Sequence, residues 1–92
     1  MENIPQSFSL SPPTPNPFNP TTSISYTLTE SSPVTLAVYN VSGQKVATLV
    51  DERQAAGMHT AIFDGAGLAS GLYFARMTAG GMVQTEKMVL MK

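Results

Sequence analysis

The chain has 92 residues, 12% of them charged and 42% hydrophobic, and no cysteine, so it is sized for one small domain whose core must hold without disulfide or thiolate–metal staples. Five Lys and Arg against six Asp and Glu leave a net charge of −1, and with no basic cluster in the sequence to neutralise a row of phosphates, nucleic acid is not expected as a partner. The longest apolar run near either end is residues 88–91, far short of the ~18 residues that cross a bilayer as a helix, so no membrane span is expected, and no charged-then-apolar export signal opens the chain.

Six of the seven prolines fall within the first twenty residues. Each lacks a backbone donor, fixes φ near −65° and pushes the residue before it to extended geometry. Residues 11–20 are therefore expected as a strap of polyproline II or irregular strand, crossing one face of the domain or holding it away from something upstream. The pattern then changes to period two. Ile24, Tyr26 and Leu28 alternate with Ser23, Ser25 and Thr27, and Val34, Leu36 and Val38 alternate with Thr35, Ala37 and Tyr39. These are two half-buried strands, joined by the turn Glu30-Ser31-Ser32-Pro33. Asn40-Val41-Ser42-Gly43 predicts a type I turn closed by a left-handed glycine, and so a tight hairpin into a strand over 45–50.

A polar loop is expected over 51–57, followed by a strand over 58–63. Its buried face is left open, because His59, Ala61 and Phe63 share one side and Met58, Thr60 and Ile62 the other. Asp64-Gly65-Ala66-Gly67 and Ser70-Gly71 punctuate a link into a strand over 72–78, with Arg76 on its wetter face. Ala79-Gly80-Gly81 turns the chain into a last strand over 82–91. No segment of ten or more residues has helical periodicity, and six strands, with a seventh from residues 6–10, recur at the spacing of an all-β sandwich. The fold expected is all-β: an immunoglobulin-like antiparallel β-sandwich of about seven strands with no disulfide, with Tyr39, Tyr73 and Phe74 as large core side chains.

Reactive chemistry is thinly represented. His59, Asp64 and Ser70 can be written as a triad, but Ser70 lacks a nucleophile elbow, and the plain reading of His59 is a sheet-face residue. One His and no Cys do not make a zinc site. Asp51 and Glu52 are adjacent, so on a strand they point to opposite faces. Gly65 and Gly67 lie between strands, with no helix to receive a phosphate, and Asp64 begins no alternating carboxylate series for calcium. Asn40-Val41-Ser42 matches a glycosylation sequon but reads first as a turn. The spacings Pro12 to Pro15 and Pro17 to Pro20 fit the minimal polyproline-ligand pattern without its basic flanks. No catalytic, metal or cofactor residue is assigned, and no enzyme activity is expected.

Four ordered stretches carry a resemblance. They are Pro15-Asn16-Pro17-Phe18-Asn19-Pro20-Thr21-Thr22, with Phe8-Ser9-Leu10 upstream; Val34-Thr35-Leu36 through Tyr39-Asn40-Val41-Ser42-Gly43 to Val50; Gly57-Met58-His59-Thr60, Phe63-Asp64-Gly65 and residues 67–77; and residues 84–92. Together they resemble the C-terminal sorting domain of the type IX (Por) secretion system, type A, whose fold is related to the immunoglobulin-like part of the flagellar hook-capping protein. Two positions depart from the family pattern: Pro13-Thr14 stands where an asparagine–aromatic pair is common, and Ile62 is apolar where a polar residue is usual.

The resemblance implies a non-catalytic address on an exported passenger protein of a Gram-negative bacterium. The passenger enters the periplasm by its own N-terminal signal, the outer-membrane translocon reads the domain, and a sortase-like surface protease often removes it and anchors the cargo, which ends secreted or at the cell surface. On this reading residues 1–7 are a residual linker from a covalently linked upstream passenger. Residues 8–92 are the sorting domain, 8–21 the proline-rich strap and 22–92 the sandwich, and the chain is a fragment of a longer precursor. The translocon is expected to read Asn40, Ser42 and Gly43 of the hairpin turn and Lys87, Met88, Val89, Leu90, Met91 and Lys92 of the last strand, whose edge offers backbone groups. Pro15, Asn16, Pro17, Phe18, Asn19 and Pro20 form the strap motif. A weak homodimer through sheet edges is a further expectation. The alternatives are a structural or protein-assembly module like the hook-cap relative, and a carbohydrate-binding accessory domain of a secreted hydrolase, which needs aromatic rings exposed in one plane.

Overall fold

The computed structural model describes residues 8–92, and these form seven strands: β1 (Phe8–Leu10), β2 (Thr21–Leu28), β3 (Ser32–Asn40), β4 (Lys45–Gln54), β5 (Gly57–Asp64), β6 (Gly71–Ala79) and β7 (Met82–Leu90). One sheet has the order β1-β2-β5 and the other β4-β3-β6-β7, with every neighbouring pair antiparallel. This is the immunoglobulin-like sandwich, in a version where the fourth strand has joined the sheet of the third instead of pairing with the fifth. No helix among the described residues is long and apolar enough to cross a membrane.

Period two sends alternate side chains into the space between the sheets. Ile24, Tyr26 and Leu28 of β2 face Val34, Leu36 and Val38 of β3, Tyr73, Ala75 and Met77 of β6, and Met88 and Leu90 of β7, all of them buried. Each fully buried aliphatic side chain is worth about 1.5–3 kcal/mol relative to exposure. The Tyr73 hydroxyl donates to the carbonyl of Ala69, four residues upstream, at 2.7 Å, the tyrosine corner that fixes the crossing from one sheet to the other in this fold.

The structure corrects the sequence reading at several places. Residues 51–54, expected as loop, continue β4, pairing with residues 32–35 of β3; backbone pairing holds them, not burial, since Asp51, Glu52 and Arg53 are all exposed. Ser32 and Pro33 belong to β3, so the turn before it is only residues 29–31. In β5, Phe63 is buried and His59 and Ala61 half-buried, whereas Met58 and Ile62 are 80% and 55% exposed; the His59, Ala61, Phe63 side faces inward. Of the three large side chains expected in the core, only Tyr73 is there. Tyr39 and Phe74 pair across strands on the outer face of the four-stranded sheet and are half-buried; Phe8, Phe18, Tyr26 and Phe63 supply the core volume instead. The seventh strand is present as Phe8–Leu10, while Gln6, Ser7 and the expected linker over 1–7 lie outside the described residues.

Candidate functional site

The strap leaves β1 along β2, crosses to the other sheet and returns as β2. It does so with few donors, because its prolines have no N–H. The donors that remain are well used: Ser11 N–H bonds to Ser25 O at 2.9 Å, Thr14 N–H to Ser23 O at 3.0 Å, and Phe18 N–H to Val89 O at 2.9 Å. The strap is not a continuous polyproline II run. The bonds Thr14-Pro15, Asn16-Pro17 and Asn19-Pro20 are cis, and isolated bridges pair Thr14 with Ser23 and Phe18 with Leu90. Phe18 is the one apolar side chain of the motif over 15–20 that is buried, packed edge-on against Phe63 with ring centres 5.7 Å apart. Gly65 makes room for this crossing. Its N–H reaches Pro20 O at 2.8 Å, and a Cβ there would lie 2.9 Å from Leu90 Cδ2 and 3.5 Å from Phe18 Cε2.

The outer edge of β7 is thereby closed over its last residues. Asn16 Nδ2 donates to Lys87 O at 2.9 Å, and Asn16 Oδ1 accepts from Val89 N–H at 2.9 Å. The side-chain amide thus copies the pairing of a neighbouring strand, and Phe18 continues it by accepting from Met91 N–H at 2.9 Å. Gln84 of β7 repeats the device in the opposite direction, its Oε1 accepting from Leu10 N–H at 3.0 Å and its Nε2 donating to Phe8 O at 3.2 Å. The sequence reading placed open backbone groups at this edge. The Lys87 carbonyl, both groups of Val89 and the Met91 N–H are occupied from within the molecule.

Of the six terminal residues expected to be read, Met88 and Leu90 are core residues, 0% and 1% exposed. Val89 is half-buried. Lys87, Met91 and Lys92 present exposed side chains. Lys92 is held on both sides, its N–H donating to Ser70 Oγ at 3.0 Å and its Nζ to Ala66 O at 2.6 Å.

At the hairpin turn, Asn40 Oδ1 accepts from both Ser42 N–H and Gln44 N–H at 3.0 Å, Asn40 Nδ2 donates to Gln44 Oε1, and Gly43 adopts φ +84. The left-handed glycine is as expected, and the Asn40 amide is spent on shaping the turn. Strand register brings the turn and the last strand to one level of the sheet, because Asn40 pairs with Tyr73 and Tyr73 with Met88. Beside this level lies an open groove of about 440 Å³ lined by Tyr39, Asn40, Val41, Phe74, Arg76, Val83 and Thr85. The sequence reading did not find it. The signal was available as Tyr39, Phe74 and Arg76 on outward positions of adjacent strands, visible only once the register is known.

His59, Asp64 and Ser70 each serve a local contact. The His59 ring stacks on Tyr26, centres 5.4 Å apart, and its Nε2 lies 2.8 Å from Ala55 O. Asp64 Oδ1 accepts from Ala66 N–H at 2.9 Å, and Ser70 holds Lys92. The Tyr26 hydroxyl donates to Gln54 Oε1 across the sheets. Burial pushes this phenol above its ordinary value of 10.0, the Gln54 bond pulls it back, and the Glu52 carboxylate adds to the rise.

Fold and topology together define an immunoglobulin-like module, a fold that hosts many functions. A family model described as a secretion system C-terminal sorting domain matches residues 14–91, and the chain belongs to that family. It is a C-terminal sorting signal for type IX secretion, a family trait that implies a non-catalytic module, interaction with the type IX machinery, and export to the surface or outside of a Gram-negative bacterium. No curated protein matches the chain.

Proposed function

We propose that the domain is read by the type IX outer-membrane translocon at one end of the four-stranded sheet: through the shape of the Asn40-Val41-Ser42-Gly43 turn together with the side chains of Lys87, Met91 and Lys92. Its passenger, joined ahead of the strap, reaches the periplasm by a separate signal, and a sortase-like surface protease then removes the domain and anchors the cargo. Residues 8–92 act as one unit, because the strap is part of the packed fold and not a spacer. The observation that carries this reading is the closed edge of β7. A partner that paired with backbone there would first have to displace Asn16 and Phe18, whereas the exposed lysine and methionine side chains are reachable without unfolding.

A reporter fused to residues 8–92 and expressed in a type IX-competent bacterium tests it. Deleting residues 87–92 would remove the buried Met88 and Leu90 and confuse folding with recognition, so substitutions are the better tool. Lys87→Ala combined with Met91→Ser is expected to keep the melting temperature of the parent and lower secretion several-fold. Normal secretion of the folded double variant contradicts the reading.

A further inference from the structure

Three cations far apart in sequence, Lys45, Arg76 and Lys87, come together at one end of the four-stranded sheet, while Arg53 stands on the same face at its opposite end, paired with Pro33. Lys45, Arg53, Arg76 and Lys87, four of the five Lys and Arg, stand at outward positions of the four-stranded sheet, all exposed. Asp51 is the one carboxylate in the outward rows of that face. Among the described residues, no carboxylate is in salt-bridge contact with Lys45, Arg76 or Lys87. A chain of net charge −1 thus turns a face of net charge of about +3 outward, enough to concentrate an acidic partner at the face.

Register orders this face further. Lys45 pairs with Tyr39, Tyr39 with Phe74 and Phe74 with Lys87, so two lysines bracket two half-buried rings in one row across β4, β3, β6 and β7. Three strand spacings place the ends of the row about 14 Å apart, and a segment in extended conformation covers about 13 Å in four residues, with its positions i, i+2 and i+4 on one side. We infer that this face binds an extended acidic polypeptide segment of the form acid–x–apolar–x–acid. The outer carboxylates meet Lys45 and Lys87, and the central apolar side chain enters the groove between Tyr39 and Phe74. Arg76, next to that groove, adds a third cation.

A polypeptide suits the face better than an anionic polysaccharide. The groove is rimmed by Val41 and Val83, 69% and 49% exposed, which an apolar side chain can cover and sugar hydroxyls cannot. The Asn40 amide, the obvious partner for such hydroxyls, is already engaged within the turn.

The inference shares Lys87 with the surface proposed above and rests on that reading only for the partner's place in secretion. Binding is therefore measured with the purified 92-residue chain, so that loss of binding and loss of export are separate results. The probes are a fluorescent acid–serine–phenylalanine–serine–acid peptide, its scrambled isomer with both acids at one end, its lysine counterpart, and polygalacturonate as competitor. The ordered acidic peptide is expected to bind more tightly than the other two peptides and to weaken as salt rises. Lys45→Glu with Lys87→Glu, both on exposed positions, is expected to cost roughly tenfold in affinity at unchanged melting temperature. Equal binding of the scrambled peptide, or no effect of the double reversal, overturns the proposal, and so does polygalacturonate binding more tightly than the ordered peptide.

Discussion

The two long sides of the sandwich are closed by different means. On one side, the strap, β1 and β7 are joined by backbone pairs at Phe18 and by two carboxamides, Asn16 and Gln84, each satisfying a donor and an acceptor of a strand on the other sheet. On the other side, β4 and β5 meet across a polar cleft of about 360 Å³ lined by residues including Tyr26, Asp51, Glu52, Gln54 and His59, and the Tyr26 to Gln54 bond spans it. A primary amide carries N–H donors and a carbonyl acceptor side by side, the same chemistry as a peptide group. Asparagine and glutamine can therefore stand in for backbone where prolines have removed the N–H groups or where the gap is a side chain wide. A phenol–amide bond closes a gap but satisfies no strand edge. The difference teaches that a proline-rich segment carrying a single well-placed asparagine, Asn16, can be a structural brace and not a spacer.

The largest expected effect falls on the braced side. Phe18→Ala removes a buried ring that packs on Phe63 and is expected to cost about 3–5 kcal/mol, read as a lower midpoint in urea unfolding; a loss under 1 kcal/mol would demote the strap to decoration. Asn16→Ala leaves Lys87 O and Val89 N–H to water and is expected to cost about 1–2 kcal/mol, seen in the same assay. On the cleft side Tyr26→Phe should cost less, about 1 kcal/mol.

The same tyrosine gives that side a pH signature. The native phenol holds its proton more tightly than the unfolded one, so its contribution is intact below pH 10.0 and is lost as pH rises through the raised native value. Alkaline unfolding curves of the parent should steepen above that point, and Tyr26→Phe should flatten them. The smallest effect on stability is expected from Lys87→Glu, within about 0.5 kcal/mol, since its side chain is exposed and its bond to Asn16 is made by the backbone carbonyl, which the substitution keeps.

Much of this architecture was legible from period two and glycine placement. The alternations at Ile24 to Leu28 and Val34 to Val38 fixed two strands and their faces, and the Asn40 to Gly43 turn followed from its residue types. Residues 51–54 escaped because a strand held by pairing alone need not alternate. The face of β5 escaped because Met58 and Ile62 are as apolar as Ala61 and Phe63; stacking of His59 on Tyr26 and packing of Phe63 against Phe18 decide it. Tyr39 and Phe74 were placed in the core on size, while their odd-even positions beside Val38 and Tyr73 already pointed them outward. The clamps had no local signal at all, since Asn16 meets residues 71 and 73 positions away and Gln84 residues 74 and 76 away. The cationic face is hidden in the same way, assembled only by the register of four strands.

Native-state hydrogen exchange at Val89 and Met91 tests the central point, that the backbone at the end of the last strand is engaged within the molecule and its message left to side chains. Bonded to Asn16 and Phe18, both amides should exchange only through unfolding of the braced side, as slowly as core amides of β6, and speed up in Asn16→Ala at Val89 first. Rapid exchange at both positions in the parent chain, as on an open sheet edge, would contradict the account.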